Sequence, residues 1–505
     1  MKNVSDIYPL TPTQTGMLFH TLQAPGSGVY FEQYVCTLSG SLDLACFRQA
    51  WETALERHAV LRTAFVWEGL DEPLQVVRQK VELPFEYVDW CDLSEVEQHE
   101  RLEEYIKTDR TRGFDPAKAP LLRLALFQTL PDVHQFVWSF HHVQLDGWST
   151  GLLLEDVFDN YETLQRGEHP KKSPPRAFKE YVGWLKQQDI SQAESFWKKE
   201  LAGFTTPTAL RVERDVSAKK TTGIYQQKQT KLSASVSATL QQLSQQHRLT
   251  LNTIFQGAWA ILLSRYSSES DVLFGTTVSG RPADLPGVET MVGMFINTLP
   301  TRIQVHPDEE ILPWLKKNQS RQLALREFEY TPLVEIQAWS DIPKDRALFD
   351  TIVVFENYPV DGSTFQNGNH SLHIDSVRYF EQSNYPLSFL VEPGKQSQLY
   401  IIYNTDYFDD EVIGRLLGHL ETILSGIAAN ARKPIKKIEV LTPVERQKVV
   451  HTWNDTHVDL PQPQQAQQFI EQLVTKNPDA VAVVDNAGQF SYGELDRKAN
   501  QLANY

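Results

Sequence analysis

Residues 136–149, FVWSFHHVQLDGWS, constrain the fold more than any other stretch of the chain. An apolar run of strand length ends in two adjacent histidines, then Asp146 and Gly147, then a helix that opens at Ser149, read as its cap. From Ser149 to Gln165 the residues Leu153, Leu154, Val157, Phe158, Tyr161 and Leu164 repeat every three or four positions, which marks a helix with one buried face. A strand that turns abruptly into such a helix belongs to a layered α/β or α+β architecture. Neighbouring side chains on a strand face opposite ways, so His141 and His142 cannot both enter one cavity without a bend, and one of them is structural. Asp146 can fold back to hold the turn, and Gly147 permits either close backbone approach to a ligand or a positive φ. His-His-x-x-x-Asp lacks helical metal-ligand geometry and has no evident third donor, so no metal is assigned.

The alternation of helix and strand continues along the chain. Leu42–His58 carries Leu44, Phe47, Ala50, Trp51, Ala54 and Leu55 at helical spacing, Leu61–Trp67 and Leu74–Gln79 read as a strand and its return, and Leu121–Gln128 and Gln135–Phe140 as two strands around a turn at Leu130-Pro131-Asp132. GEHPKKSPP, residues 167–175, cannot continue a helix and reads as a linker between lobes. Beyond it, strands are expected at Tyr225–Leu232, Asp271–Thr277, Thr351–Phe355, Leu387–Glu392 and Leu399–Asn404. Helices are expected at Ser235–His247, Thr253–Tyr266, Ile311–Phe328 and Asp410–Ala429. Residues 431–464, rich in Pro, Gln, Asn and Thr, read as a linker draped over a surface. Residues 465–505 read helix, strand, turn, helix, too short a piece for an independent core.

Composition narrows the function classes. With 505 residues, 41% hydrophobic and 22% charged, the chain is neither disordered nor fibrous. Its net charge of −16, from 48 Lys+Arg against 64 Asp+Glu, disfavours nucleic acid as a partner. No run approaches the roughly 18 apolar residues of a membrane helix. The opening MKNVSDIYPLTP lacks a secretory pattern, and three cysteines without paired spacing read as reduced thiols. A cytoplasmic protein is expected.

His141-His142-x-x-x-Asp146-Gly147 resembles the HHxxxDG signature of the condensation domains of nonribosomal peptide synthetases, acyltransferases of the chloramphenicol-acetyltransferase-like superfamily. YPLTPTQTGMLFHTL (8–22), RHAVLRTAF (57–65), FKEYVGWL (178–185), FGTTVSGRP (274–282), MVGMFINTLPTR (291–302) and SNYPLSF (383–389) resemble further motifs of that family in the same order. The resemblance covers about residues 5–440. It implies an α/β fold of two chloramphenicol-acetyltransferase-like lobes in a V, residues 1–170 and 171–440, with a tunnel between them. Residues 441–464 would then be a linker. LTPVERQKVVHTWNDT (441–456) and NPDAVAVVDNAGQFSYGELDRKANQLANY (477–505) resemble that linker and the opening of an adenylation domain, with 465–505 its truncated N-terminal fragment and no ATP site within it.

The implied reaction is amide formation: the α-amine of an acceptor aminoacyl thioester attacks a donor peptidyl or aminoacyl thioester. No cofactor would bind directly, since both substrates ride on phosphopantetheine arms of carrier proteins. The partners are an upstream donor carrier, which could act in trans, and the downstream acceptor carrier and adenylation domain. Neither nucleic acid nor membrane is among them. His142 is the catalytic candidate, as general base or by hydrogen bonding to the attacking amine and intermediate. His141, Asp146, Gly147 and Arg62 support it, and the resemblance implies that Asp146 forms an ion pair with Arg62. Asn297, Ser383 and Asn384 are assigned to the substrate channel. Trp148 and Trp184 read as core aromatics. The Gln14-x-Gly16-Met17-Leu18-Phe19-His20 variant of the first motif resembles domains that follow epimerising modules, which leans toward a D-configured donor. The same fold also serves epimerisation of a carrier-bound residue and non-catalytic recruitment, and these are the alternatives.

Overall fold

The computed structural model describes residues 3–170, 175–213, 224–356, 371–458, 465–485 and 488–505. Residues 171–174 and 459–464 of the two expected linkers lie outside the described residues. The chain divides into two compact units, residues 1–442 and 443–505.

The first unit opens with β1 (Val4–Pro9), α1 (Pro12–Gln23), β2 (Phe31–Ser39), α2 (Leu44–Arg57), β3 (Thr63–Val66), β4 (Leu74–Arg78), β5 (Phe85–Asp89), α3 (Glu95–Arg112), β6 (Leu122–Leu130), β7 (Val133–His141) and α4 (Gly147–Gln165). Strands β6 and β7 form a tight hairpin through Pro131-Asp132, each longer than the sequence pattern marks. Period-two alternation on β7 divides its side chains between two cores. Phe136, Trp138 and Phe140 pack with Phe47 and Trp51 of α2 and Leu153, Val157 and Tyr161 of α4. Val137 packs on the opposite face with Leu102 and Ile106 of α3. Ser139, also on that face, reaches Asp109, whose carboxylate pairs with Arg123 at 2.7 Å.

The chain continues through α5 (Phe178–Leu185), α6 (Ile190–Leu201), β8 (Tyr225–Lys231), α7 (Ala234–His247), α8 (Leu251–Ser267), β9 (Asp271–Val278), β10 (Asn297–Gln304), α9 (Ile311–Arg326), α10 (Leu333–Trp339), β11 (Thr351–Phe355), β12 (His373–Phe380), β13 (Leu387–Glu392), β14 (Gln398–Asn404) and α11 (Asp410–Ala429). Six of these strands form one sheet in the order β10-β9-β11-β13-β14-β8. Pro300 falls within β10, which a proline tolerates because that strand is the sheet's edge. By length and hydropathy α11 is the one helix among the described residues that could cross a membrane, and it instead buries Ile413, Leu416, Leu420, Ile423 and Ile427 in the core beneath this sheet.

The two halves are interleaved. Strand β12 leaves the second half and pairs antiparallel with β2, so a five-stranded sheet runs β12-β2-β7-β6-β5, beside a three-stranded sheet β1-β4-β3 in the same unit. Phe178, Tyr181 and Val182 of α5, with Met291, Val292 and Phe295, bury in the same core as α2 and α4. Residues 431–438 also differ from the surface linker expected of them: Ala431, Ile435 and Ile438 are core residues, held by backbone pairing of Glu310 with Pro434. In the second unit, α12 (Pro443–Val450) is followed by α13 (Ala466–Lys476), the hairpin β15 (Val481–Asp485) and β16 (Gly488–Ser491), and α14 (Tyr492–Ala503), capped by Ser491 with Glu494.

Candidate active site

At the end of β7 the chain makes a tight turn, with Gln144 N–H donating to the His141 carbonyl and Leu145 N–H to that of His142. The turn points the two histidines apart. His142 lines a cavity of about 950 Å³, together with Phe140, which has the same strand parity. Its Nδ1 lies 2.6 Å from the Leu145 carbonyl oxygen. A carbonyl only accepts, so Nδ1 carries the proton and Nε2 keeps the basic lone pair.

His141 takes the other tautomer. Val143 N–H donates to its Nδ1 at 3.1 Å, so Nε2 bears the hydrogen and donates to Thr21 Oγ1, also at 3.1 Å. Thr21 in turn donates to the Met17 carbonyl. Burial, with a smaller electrostatic contribution from the adjacent His142 imidazole, pushes the His141 pKa down to about 3. The ring is a neutral strut between the turn and α1.

Asp146, rather than Ser149, caps α4. Its Oδ1 accepts from Ser149 N–H at 2.8 Å, and Oδ2 accepts from Phe295 N–H at 3.0 Å. Its cationic partner is Arg281, 3.3 Å away, with both side chains almost fully buried. This corrects the expected pairing with Arg62. Arg62 spends its guanidinium on carbonyls at the C-terminal end of α2, those of Leu55 and Glu56, and on those of Arg78 at the end of β4 and Gln79 just beyond it. Unpaired carbonyls and the negative pole of a helix end attract a cation, and Arg62 lies next to one. The segment containing Arg62 reaches the turn by another route: Gln144 donates to the carbonyls of Val60 and Thr63, both at 2.9 Å.

Arg281 joins four parts of the site. It contacts Asp146 and Ser149 Oγ, donates to the Val288 and Met291 carbonyls, and lies 4.0 Å over the Phe295 ring. The preceding Gly280 has φ +60°, and a Cβ there would stand 1.9 Å from the Phe295 carbonyl oxygen. Only glycine fits. Gly147 lines the cavity in the first turn of α4 and is not among the glycines with positive φ, so the conformational reading of it does not hold.

Asn297, Ser383 and Asn384 all line the cavity. Asn297 donates to the Glu329 and Thr331 carbonyls and accepts from Thr13. Ser383 bonds Ser388, and Asn384 bridges Tyr30 Oη at 2.8 Å and His20 Nε2 at 3.3 Å. Tyr30 carries a positive φ of 61°, uncommon for a bulky residue, and this orients three bonds at once. Its carbonyl accepts from His142 N–H, its N–H donates to the Gln382 carbonyl, and its hydroxyl holds Asn384. Sequence reasoning missed Tyr30, His20 and Arg281. Arg281 stands inside FGTTVSGRP, where an arginine beside a glycine was the available signal.

A family model described as the condensation domain matches residues 4–450. The chain belongs to the condensation-domain family. Among curated relatives this condensation domain is 44% identical over 507 residues to a linear gramicidin synthase of Brevibacillus parabrevis and 35% identical over 502 residues to bacitracin synthase 3 of Bacillus licheniformis. Those matches take in 100% and 99% of this chain but only 10% and 8% of the relatives' length. Its fold matches a four-domain nonribosomal peptide synthetase bound to AMP and glycine, with TM-score 0.77 at 17% identity, covering 99% of this chain and 39% of that one. It also matches the starter condensation domain of rhizomide synthetase, with TM-score 0.74 at 21% identity, covering 86% and 98%. Within the condensation domain, then, His142, Gly147, Asn297, Ser383 and Asn384 share one cavity, His141 and Asp146 brace the turn behind it, and Arg62 does not line it.

Proposed function

We propose that this domain forms an amide between a donor peptidyl or aminoacyl thioester and an acceptor aminoacyl thioester, both carried on phosphopantetheine arms of carrier proteins, as a cytoplasmic acyltransferase of nonribosomal peptide synthesis. The reading rests on one observation: the Leu145 carbonyl fixes His142 with its basic Nε2 free at the wall of a large cavity. An α-amine with a pKa near roughly 8 is mostly ammonium at neutral pH, and only its free base attacks. His142 Nε2 takes or hydrogen-bonds the amine proton as the nitrogen adds to the thioester carbon. The tetrahedral intermediate then collapses with loss of the donor's thiol. A thioester is already activated, so holding two tethered arms in line supplies most of the remaining acceleration.

We infer that the cavity belongs to a tunnel between two lobes of a chloramphenicol-acetyltransferase-like fold, and that residues 465–505 open an adenylation domain, whose carrier supplies the acceptor. The test is intact-mass detection of dipeptidyl carrier from defined D and L donors, with wild type and His142→Ala. A new amide that His142→Ala loses supports condensation. An inverted stereocentre would replace it with epimerisation, and carrier binding without turnover with recruitment.

A further inference from the structure

The charged residues that line the cavity are all acidic. Glu32, Glu356, Asp375, Glu381 and Glu392 line it, with no lysine or arginine among its described lining residues. Four of these carboxyls fall into two pairs fixed by strand register. Phe380 of β12 pairs with Gln33 of β2, which brings the next residue, Glu381, beside Glu32. Phe355 of β11 pairs with Val391 of β13, and Glu356 N–H donates to the Val391 carbonyl, which brings Glu356 beside Glu392. Burial as the larger cause, with the proximity of Glu381 and Glu392, raises the Glu356 carboxyl well above its ordinary range. Glu392 accepts from Tyr400 Oη at 2.8 Å and Gln398 Nε2 at 3.1 Å.

Glu32 is only 6% exposed and its Oε1 has no hydrogen-bond partner, as is true of the buried Tyr379 hydroxyl. Buried acceptors left unpaired are costly, and carboxyls clustered without a counter-ion raise that cost. Burial and mutual repulsion hold Glu32 and Glu356 well above the usual carboxylate range. Burial raises Glu381 too, where the nearby His142 pulls the other way. A cation entering here meets acceptors that protein groups leave open. An anion, including the phosphate of a pantetheine arm, meets no lysine or arginine among the described lining residues.

Resting on the condensation reading, we propose that the Glu32–Glu381 and Glu356–Glu392 wall is the subsite that receives the primary ammonium of the carrier-tethered substrate, namely the α-ammonium of the acceptor residue. This group is common to every α-amino acceptor and is cationic until it gives up its proton. The unpaired Glu32 oxygen and the carboxyls beside it accept from that ammonium within the cavity that His142 lines.

The experiment measures binding of non-hydrolysable pantetheine amides to the intact chain. Three probes are compared: glycyl, N-acetylglycyl, and Nα-acetyl-lysyl, whose only ammonium is on the side chain. Wild type is expected to bind the glycyl probe about tenfold to a hundredfold tighter than the acetylglycyl one. Glu32→Gln and Glu381→Gln, each shown folded by its melting curve, shrink that preference to within about threefold; Glu356→Gln replaces either that fails to fold. Equal binding of the glycyl and acetylglycyl probes, or a preference unchanged in the glutamine variants, overturns the proposal. A preference for the lysyl probe alone also overturns it and moves the subsite to side-chain ammonium groups. Dipeptide formation is read separately, so condensation without an amine preference removes the subsite alone, and an amine preference without condensation removes the catalytic reading alone.

Discussion

Replacing Asp146 tests the architecture of the site at its most buried ion pair. Asp146→Ala orphans three groups at once: the Ser149 N–H, the Phe295 N–H and the Arg281 guanidinium. A lost cap costs about 1 kcal/mol. An unsatisfied buried N–H costs about 1–3 kcal/mol. Stranding one partner of a buried pair costs about 3–5 kcal/mol. These overlap, because Arg281 keeps the Val288 and Met291 carbonyls, so a total of about 3–5 kcal/mol is expected. Arg281→Ala falls in the same range, since it leaves a buried carboxylate with two backbone donors and no cation. The decisive assay is a pair of double-mutant cycles read from urea unfolding. Asp146 and Arg281 should couple by about 1–3 kcal/mol, whereas Asp146 and Arg62, which share no partner, should be additive within about 0.5 kcal/mol. Equal coupling in the two cycles, or a larger one with Arg62, would refute the assignment.

Other tests follow from the same geometry. His141 has its folded pKa depressed from 6.5 to about 3, so the unfolded chain binds more protons between those values and stability falls as pH drops through that window. The contribution approaches about 1.4 kcal/mol per pH unit, and melting curves of His141→Gln against wild type between pH 6.5 and 4 should show a shallower decline in the variant. Gly280→Ala sets a Cβ against the Phe295 carbonyl and should lower both the melting temperature and the yield of condensation product, and unchanged values for both would argue against the close approach. Tyr30→Phe removes the 2.8 Å bond to Asn384 and should cost about 0.5–1.5 kcal/mol in stability while raising the acceptor's KM.

What the sequence discloses about this domain follows the range of the interactions involved. The helix with its apolar face at Leu153, Val157, Phe158 and Tyr161 is legible because its period is local, and its observed start lies two residues earlier because Asp146 caps it by accepting from the Ser149 N–H. Strand parity alone requires the two histidines to diverge. Helix α3 is hidden because it buries only a narrow seam, Leu102, Ile106 and Asp109, among charged residues. Strand β12 leaves most of its residues exposed at a sheet edge, so it has no hydrophobic alternation to read. Choosing between Arg62 and Arg281 as partner of Asp146 requires knowing which segment folds back over the turn, and Arg281 lies 135 positions away.

The return of β12 to β2 bears on how the chain is made. Strands β2, β6 and β7 are complete on the ribosome by His141, but the flank of β2 waits for a partner that ends at Phe380. At the usual pace of synthesis the intervening roughly 240 residues take about 10–50 s to emerge. Throughout that interval β2 offers unpaired N–H and C=O groups to any neighbouring nascent chain. Within a polypeptide that carries several such domains in tandem, the competitor closest to hand is the same strand of another module. Slowing translation between Gln165 and His373 should therefore raise misassembly, and supplying a β12 peptide during synthesis should relieve it.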